Sequence, residues 1–297
     1  MALHPALRAR VTVVLTLAVL GISSSAVLVR LMDAPPVAIA AWRCLFAALL
    51  LSPALRYARG MSPRDLGWIA LAGVILGAHF AAWFASLDTT TVLRSTVLVA
   101  LVPVWTGLFE WALTGVRPPG AFWAGITLAL VGVGSLAAGG QGTAGWQGDL
   151  LAAFAGVLWS VYLLVGRNVR QRVHIGTYMC LVSGFASLAM WPLAWGTSTP
   201  VWGFPLATWG WLVVATLGPQ LMGHQGFSYA VKYLPASTIA AIMLLEPVGS
   251  SLLASLVLEE IPPPTAIVAG AIVILGVLMA LRGTPPSPST EEANAGE

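Results

Sequence analysis

Ten apolar stretches follow one another along the 297 residues, and each is close to the roughly 20 residues that a helix needs to cross a lipid bilayer. Hydrophobic residues make up 58% of the chain and charged residues only 8%, whereas soluble domains carry about 25% charged residues. An aqueous fold could not bury so much apolar surface. The stretches, numbered spans 1 to 10, are predicted at 11–29, 37–55, 66–87, 92–113, 121–138, 150–165, 175–195, 207–231, 237–258 and 266–281.

These stretches predict an all-α integral membrane protein with ten transmembrane helices. A transmembrane barrel would instead show short strands in which apolar and polar residues alternate. Pro103, Pro219 and Pro247 interrupt spans 4, 8 and 9, and neighbouring helices can satisfy the backbone groups that such prolines leave open. We expect these three prolines to act as hinges.

Basic residues fall unevenly on the two sides of a ten-span chain. Threading from a cytoplasmic N-terminus places eleven basic residues inside, two outside (Arg30 and Arg94) and one, Arg43, within span 2. Because basic residues are enriched in cytoplasmic loops, both termini are predicted to be cytoplasmic, in a bacterial inner membrane. The net charge of +3 follows from this topology and requires no nucleic-acid partner.

The first span also has the pattern of a signal peptide, since Arg8 and Arg10 precede an apolar run that ends in Ser23-Ser24-Ser25-Ala26. We favour a retained helix because its removal would break the internal repeat described next.

The two halves of the chain repeat one another. The segment from Gly67 aligns with that from Gly210, so that His79 corresponds to His224 and Pro103 to Pro247; more loosely, Ser24 corresponds to Ser160. Because each repeat has five spans, the second copy must enter the membrane from the opposite face. Inverted repeats of this kind are common in secondary transporters, where alternating access takes place around a site between the halves.

The predicted domains follow from the repeat. They are a cytoplasmic N-terminal tail (1–10), a first five-helix repeat (11–138), a periplasmic linker (139–148), a second five-helix repeat (149–282) and a disordered cytoplasmic tail (283–297).

A single carboxylate, Glu246, lies inside span 9 directly before Pro247. An ionised side chain in the middle of a membrane needs a partner, a water-lined cavity or a proton. Because Pro247 lacks an N–H group, the helix must kink or open beside the acid.

Several motifs resemble the drug/metabolite transporter superfamily, and its EamA-type carriers in particular. They are YAVKYLPAS followed by LLEPVGSSLLASLVLEE in the second half, the shorter VLVALVPVWTGLF in the first half, and Trp42-Arg43 in span 2. The resemblance covers residues 11–282 and implies a ten-helix carrier of small metabolites, often an exporter. It also implies a cavity lined by spans 1, 3, 4, 6, 8 and 9, and it leaves the substrate open.

Polar and aromatic residues at helical spacing give the candidate substrate-binding residues. His79 and Trp83 are one turn apart in span 3, and Gln220 and His224 are one turn apart in span 8. The full set is His79, Trp83, Ser95, Thr96, Trp159, Ser160, Tyr162, Gln220, His224, Met243 and Glu246.

Each of these candidates also has a structural interpretation. A buried histidine can be a neutral group bonded to a carbonyl, and Glu246 can steady the Pro247 kink instead of carrying a proton or a substrate ammonium. The deep aromatic residues would suit a solute with an apolar side chain, but they can equally fill helix contacts.

The function indicated is export of small neutral metabolites by a secondary transporter, with aromatic or hydrophobic amino acids as the leading substrates and proton coupling as an option. Multidrug, nucleotide-sugar and lipid transport remain alternatives, because one fold can host many functions. An enzyme is not indicated: the four histidines lack metal-ligand spacing, and the only lysine, Lys232, is not part of a phosphate-binding GxxxxGK[ST] loop. No cofactor or metal is predicted, and the oligomeric state is left open.

Overall fold

The computed structural model of the chain describes residues 4–87, 89–90, 95, 98–136, 145–257, 259 and 264–282. In these ranges the secondary structure is helical and contains no strand. The all-α prediction is therefore confirmed. Thr96, the tail 283–297, residues 139–144 of the predicted linker and much of the first half of span 4 lie outside the described residues.

The helices coincide with the predicted spans. In the first half they are Pro5–Ser23 and Ser25–Arg30 (span 1), Pro36–Leu51 with the 3-10 turn Ser52–Ala58 (span 2), Pro63–Leu87 (span 3), Val102–Thr114 (span 4) and Gly120–Leu136 (span 5). In the second half they are Trp146–Arg170 (span 6), Ile175–Gly196 (span 7), Leu206–Ala215, Thr216–Gln225 and Gly226–Ala230 (span 8), Ala236–Met243 and Glu246–Val257 (span 9) and Pro264–Arg282 (span 10).

Six helical stretches in the described part of the chain are long and apolar enough to cross a membrane without help, and they correspond to spans 1, 2, 3, 6, 7 and 9. The other four are shorter in the structure for separate reasons. Span 4 is described as a helix from Val102 onward, span 8 is divided by a π-helical segment, and spans 5 and 10 are shorter apolar helices.

Prolines explain several of the helix starts. Spans 1, 2 and 3 begin at Pro5, Pro36 and Pro63, where the missing N–H is one that a helix leaves unpaired anyway. As a result, span 1 begins six residues before the predicted start and takes in part of the predicted N-terminal tail. In span 3, Ser62 and Asp65 form reciprocal bonds of 3.0 and 2.8 Å that cap the first turn.

The main helix contacts run between the two halves of the chain rather than within them. Span 5 packs on span 10, span 2 on span 7, span 4 on span 9, span 1 on span 8, and span 3 on spans 6 and 7. These pairs are consistent with a two-fold relation, because exchanging the halves turns the contact of spans 1 and 8 into that of spans 6 and 3. Spans 1, 3, 4, 6, 8 and 9 also contact one another: span 6 touches spans 3, 4, 8 and 9, and span 1 touches spans 8 and 9.

Three spans are interrupted at the level of this junction. Span 9 stops at a turn over Leu244-Leu245, and its second helix begins at Glu246 with Pro247 in the first turn. Span 4 repeats the pattern, with a turn over Ala100-Leu101 and Pro103 in the first turn of the helix that follows. Span 1 is interrupted at Ser24. The break predicted beside Glu246 is confirmed, and it has a counterpart in the first half.

Candidate functional site

Five rings from spans 3, 6 and 8 form one cluster at the junction of the halves. We call His79, Phe80, Trp83, Trp159 and His224 the ring cluster. The Trp159 ring lies at its centre, with centroid distances of 5.0 Å to His79 and 4.9 Å to His224. Phe80 touches both histidines, at 5.4 and 5.9 Å, and Trp83 stacks on His79 at 6.5 Å. The two histidines matched by the sequence repeat therefore meet at a single indole.

The two histidines differ in their hydrogen bonding. His79 Nδ1 lies 2.9 Å from the carbonyl oxygen of Ala155 in span 6, so one of its nitrogens is held by backbone. His224 Nδ1 is buried and has no hydrogen-bond partner. Buried polar atoms without partners are rare, and His224 is therefore the better candidate for direct contact with a solute.

Span 8 presents His224 from an unusual backbone. Residues Thr216–Gln225 form a π-helix that contains Pro219, and π-helical turns are frequent at functional sites. Gln220 lies in the same segment, fully buried, and its amide contacts Ser183 Oγ at 3.5 Å while its Oε1 has no partner. The segment thus carries two buried polar atoms that are free to bind a solute.

Span 1 packs closely against this segment. A Cβ atom added at Gly21 would lie 2.9 Å from Gly223 N and 3.0 Å from Gly218 O. The backbones of spans 1 and 8 can approach this closely only because the residue in span 1 is glycine and faces glycines in span 8, as is common where membrane helices cross.

Each half uses a serine to hold the break in the other half. Ser160 Oγ in span 6 donates to the carbonyl of Val102 at 3.1 Å, and Ser23 Oγ in span 1 donates to the carbonyl of Glu246 at 3.4 Å. Val102 and Glu246 both directly precede the proline of their span. By these contacts Ser23, and not Ser24 as in the sequence alignment, is the counterpart of Ser160.

Glu246 lies where span 9 meets span 1. Ser250 Oγ donates to the Ser23 carbonyl at 2.8 Å, and a Cβ at Gly249 would lie 2.2 Å from Ser23 Oγ. These contacts hold the first turn of the second helix of span 9 against the serine break in span 1. The carboxylate belongs to a partly exposed residue, and Val102 is its apolar counterpart in the other half.

The remaining predicted site residues surround this centre in different ways. Trp159 Nε1 donates to Met243 Sδ at 3.1 Å, which links spans 6 and 9. The Tyr162 ring is tilted against that of Trp159 at a centroid distance of 5.1 Å, but its hydroxyl is 3.1 Å from Ser228 Oγ. Ser95 Oγ is 2.7 Å from Ser86 Oγ, and both residues are fully buried. The structure thus brings together His79, Trp83, Trp159, His224 and Met243, whereas the hydroxyls of Ser95, Ser160 and Tyr162 make contacts within the protein.

Arg43 in span 2 is a site residue that the sequence-based candidate set omitted. It is 4% exposed, its Cζ lies 4.8 Å from the centroid of the Phe80 ring, and its Nη1 donates to Ser25 Oγ at 3.5 Å. The signal was present in the sequence, because any charged residue inside an apolar span indicates function.

The site is therefore a polar centre with an aromatic wall, which is suited to holding a small amphipathic solute. It contains one basic side chain, Arg43, and one acidic side chain, Glu246. Within the described ranges, no group of three His, Cys, Asp or Glu side chains is placed to hold a metal ion.

Comparison with known proteins identifies the family of the chain. The sequence model described as EamA-like transporter family matches residues 10–137 and, again, residues 146–282. The chain belongs to the EamA-like transporter family. It is a multi-pass membrane transporter, and the family resemblance seen in its sequence motifs is confirmed.

Individual relatives cover most of the chain. It is 30% identical over 239 residues, covering 74% of this chain and 75% of the relative, to a probable terminal-alkyne amino-acid exporter of Streptantibioticus cattleyicolor. It is 24% identical over 265 residues, covering 88% and 89%, to the uncharacterized transporter YwfM of Bacillus subtilis. A solved structure titled only as the crystal structure of a protein superposes with a TM-score of 0.78 at 23% identity, covering 93% of this chain and 99% of that one, which shows the shared fold.

Proposed function

We propose that this EamA-family transporter is a secondary carrier that exports small neutral metabolites across the bacterial inner membrane. Its preferred substrates are aromatic and hydrophobic amino acids. The observation that carries the proposal is the combination at the junction of the halves. An aromatic wall formed by the ring cluster faces a polar centre that contains a cation, Arg43, and a carboxylate, Glu246. An amino acid has the matching parts, namely an apolar side chain, an ammonium group and a carboxylate.

The charge content of the site also argues against polyanionic solutes. A carrier of nucleotide sugars would need several basic side chains for the phosphate groups. Arg43 is the arginine that contacts the ring cluster, and none of the ion pairs among the described residues brings a second basic side chain to it. One relative is named as a probable exporter of terminal-alkyne amino acids, and this name supports an amino acid as the substrate class here.

Alternating access around the junction is the mechanism that this arrangement favours. The paired breaks at Pro103 and Pro247 and the π-helical segment around Pro219 are places where backbone dihedrals can change without disrupting a continuous helix. We propose that these prolines are the hinges. The two halves, inserted in opposite directions, would then exchange conformations so that the centre faces either side of the membrane.

The proposed orientation places both termini in the cytoplasm. On this orientation the loops that join spans 1 and 2 and spans 7 and 8 lie on the periplasmic side, where Asp33, Trp202 and Phe204 help to line a cavity of about 500 Å³. We propose that this cavity is the exit vestibule. Labelling single cysteines introduced at either end of span 1 with an impermeant reagent tests the orientation, and labelling of its N-terminal end from the periplasm would contradict it.

Transport of labelled amino acids tests the function directly. We expect the purified protein in proteoliposomes to take up phenylalanine, tryptophan or leucine with saturation, and the natural apolar amino acids to compete with one another because they share the aromatic wall. A sugar nucleotide and a cationic dye serve as competitors of the wrong chemistry. If no amino acid shows saturable flux while the dye or the nucleotide does, the substrate assignment is wrong and the family membership stands.

Proton coupling through Glu246 gives a second prediction. Of the described groups, Arg43 is the charged one that acts on Glu246, and the two titratable histidines, His79 and His224, lie near Arg43. If Glu246 carries the coupling proton, acidifying the lumen of the proteoliposomes should accelerate amino-acid uptake several-fold, because protons leave as the substrate enters. Glu246→Gln should transport without responding to the gradient.

The histidines provide the control for this experiment. His79→Gln should retain the response to the gradient, because its ring nitrogen is held by the Ala155 carbonyl. A gradient response that persists in Glu246→Gln would place the proton elsewhere, and a loss of folded protein in that variant would make the acid structural.

A further inference from the structure

We propose that Arg43 is the group that binds the carboxylate of the transported amino acid, and that Arg43 and Glu246 together select zwitterions. This inference rests on the proposed function, since it assigns the headgroup site within the same chamber. Four observations carry it: the unsatisfied guanidinium of Arg43, its contrast with Arg170, its position relative to Glu246, and its position relative to the ring cluster.

The guanidinium of Arg43 is buried without a full set of partners. Its exposed fraction is 4%, its Nε has no hydrogen-bond partner, and its one hydrogen bond to a side chain, to Ser25 Oγ, is long at 3.5 Å. In the described part of the chain no carboxylate forms an ion pair with it. A buried charge without a counter-ion is costly, and a guanidinium offers a planar pair of donors that matches a carboxylate.

Arg170 shows how a structural arginine is held in this protein. It is equally buried, at 5% exposure, but its Nε donates to the Ser228 carbonyl at 3.1 Å and its Nη1 donates to the Val173 carbonyl. These bonds join span 6 to span 8 and to the loop that follows span 6. Among the described residues no backbone carbonyl accepts a hydrogen bond from Arg43, so its donors remain available for a bound anion.

The Arg43 side chain and the backbone of Glu246 contact the same break in span 1 from different helices. Ser25, which contacts Arg43, is two residues from Ser23, which contacts the backbone of Glu246. Both contacts lie at the interruption of span 1 around Ser24. No ion pair between the two side chains is formed in the described ranges. A solute that carries both an ammonium and a carboxylate would satisfy both groups at once.

The aromatic wall begins directly beside the guanidinium. Arg43 lies over the Phe80 ring, and the edge of that ring meets His224, which in turn contacts Trp159. A carboxylate bound to Arg43 would therefore hold the apolar side chain of an amino acid against the ring cluster. The unpartnered atoms His224 Nδ1 and Gln220 Oε1 supply additional polar contacts for the headgroup.

The test compares an acid with its amide. Phenylalanine and phenylalaninamide share the side chain and the ammonium group, but the amide lacks the anion. By calorimetric titration of the full chain in nanodiscs we expect the amide to bind about 10- to 100-fold more weakly, the range for one charge-assisted contact. In Arg43→Gln, the binding affinity for phenylalanine should fall by about this factor, and the affinity for phenylalaninamide should stay as it was. Tryptophan and leucine with their amides extend the comparison.

Two further variants keep the test decisive. Arg43→Lys retains the charge without the planar donor pair. We expect it to reduce the binding affinity for the amino acid by a smaller factor than Arg43→Gln does. Arg172→Gln removes an arginine that pairs with Asp65 on the surface, with Nη2 to Oδ1 at 2.8 Å, and it should leave the ratio of acid to amide unchanged.

Each outcome is decisive. Equal binding of acid and amide by the unaltered protein overturns the assignment of Arg43 while leaving amino-acid export intact, and it does so even if the variants fail to fold. Equal losses of acid and amide in a folded Arg43→Gln also overturn it, because a structural arginine would produce that result. If no amino acid or amide binds at all, the proposed function and this inference fail together.

Discussion

Replacing Gly276 with valine is expected to abolish folding of the protein. In the structure, a Cβ atom added at Gly276 would lie 2.4 Å from Ala129 N and 2.7 Å from Gly125 O. Both atoms belong to the backbone of span 5, so no side-chain rotation can relieve the overlap. Added volume in a packed interior usually costs about 1 to 3 kcal/mol, and a clash with backbone places this variant at or above the upper end.

The contact is reciprocal, which strengthens this expectation. A Cβ at Gly125 would lie 2.3 Å from Ala280 N and 2.5 Å from Gly276 O. Spans 5 and 10 therefore touch backbone to backbone at two matched glycines, as membrane helices do when small residues allow close approach. This contact joins the last spans of the two repeats, and its loss should separate span 5 from span 10.

Gly134→Val is the matched control, because Gly134 lies in the same span 5 and a Cβ there would have no neighbour within 4 Å. Thermal unfolding in detergent, together with the fraction of monodisperse protein on size-exclusion chromatography, measures both variants. Gly134→Val should behave like the unaltered protein, and Gly276→Val should yield little or no folded protein. A normal melting temperature for Gly276→Val would show that spans 5 and 10 are not packed in this way.

The sequence was sufficient to predict the helices, because apolar length and proline position are local properties. Pro247 led us to expect a break beside Glu246, and the structure has that break. The sequence could not decide whether Gly125 served packing within the chain or between chains. That question depends on which span lies opposite, and the structure answers it with span 10.

The site was only partly predictable for the same reason. His79, Trp159 and His224 could be selected because polar and aromatic residues stand out in apolar spans, but their meeting at one ring depends on how spans 3, 6 and 8 cross. The three serines of span 1 read as the end of a signal peptide, although in the structure they lie between Arg43 and Glu246. The π-helical backbone of span 8 likewise has no simple sequence pattern, since Pro219 alone would also suit an ordinary kink.

Replacing Glu110 with alanine is the second change with a large expected effect. The candidate substrate-binding set does not contain this residue, and the structure shows a different role for it. Its carboxylate accepts hydrogen bonds from the backbone N–H groups of Ala236 and Ser237, at 3.2 and 3.1 Å, and from the Ser237 hydroxyl. It also forms an ion pair with Arg167 of span 6. One side chain of span 4 therefore caps the N-terminus of span 9 and ties both spans to span 6.

The expected loss of folding stability in Glu110→Ala follows from the number of these contacts. Breaking a buried ion pair by removing one partner costs about 3 to 5 kcal/mol, and we expect the lower end because the Arg167 side chain keeps 19% of its exposure. Two backbone N–H groups of span 9 lose their acceptor as well, and a missing cap alone costs about 1 kcal/mol. The stability of Glu110→Gln should lie between that of the alanine variant and that of the unaltered protein, since the amide oxygen can still accept a hydrogen bond.

Asp65→Ala is the matched control, because Asp65 also pairs with an arginine and caps a helix. Its partner Arg172 is 49% exposed, and exposed ion pairs contribute only about 0 to 1 kcal/mol. Thermal unfolding of Glu110→Ala, Arg167→Ala and the double variant gives the coupling between the two charges. We expect strong coupling and a much larger loss in Glu110→Ala than in Asp65→Ala. Equal losses in the two acid variants, or no coupling with Arg167, would contradict a buried latch between spans 4, 6 and 9.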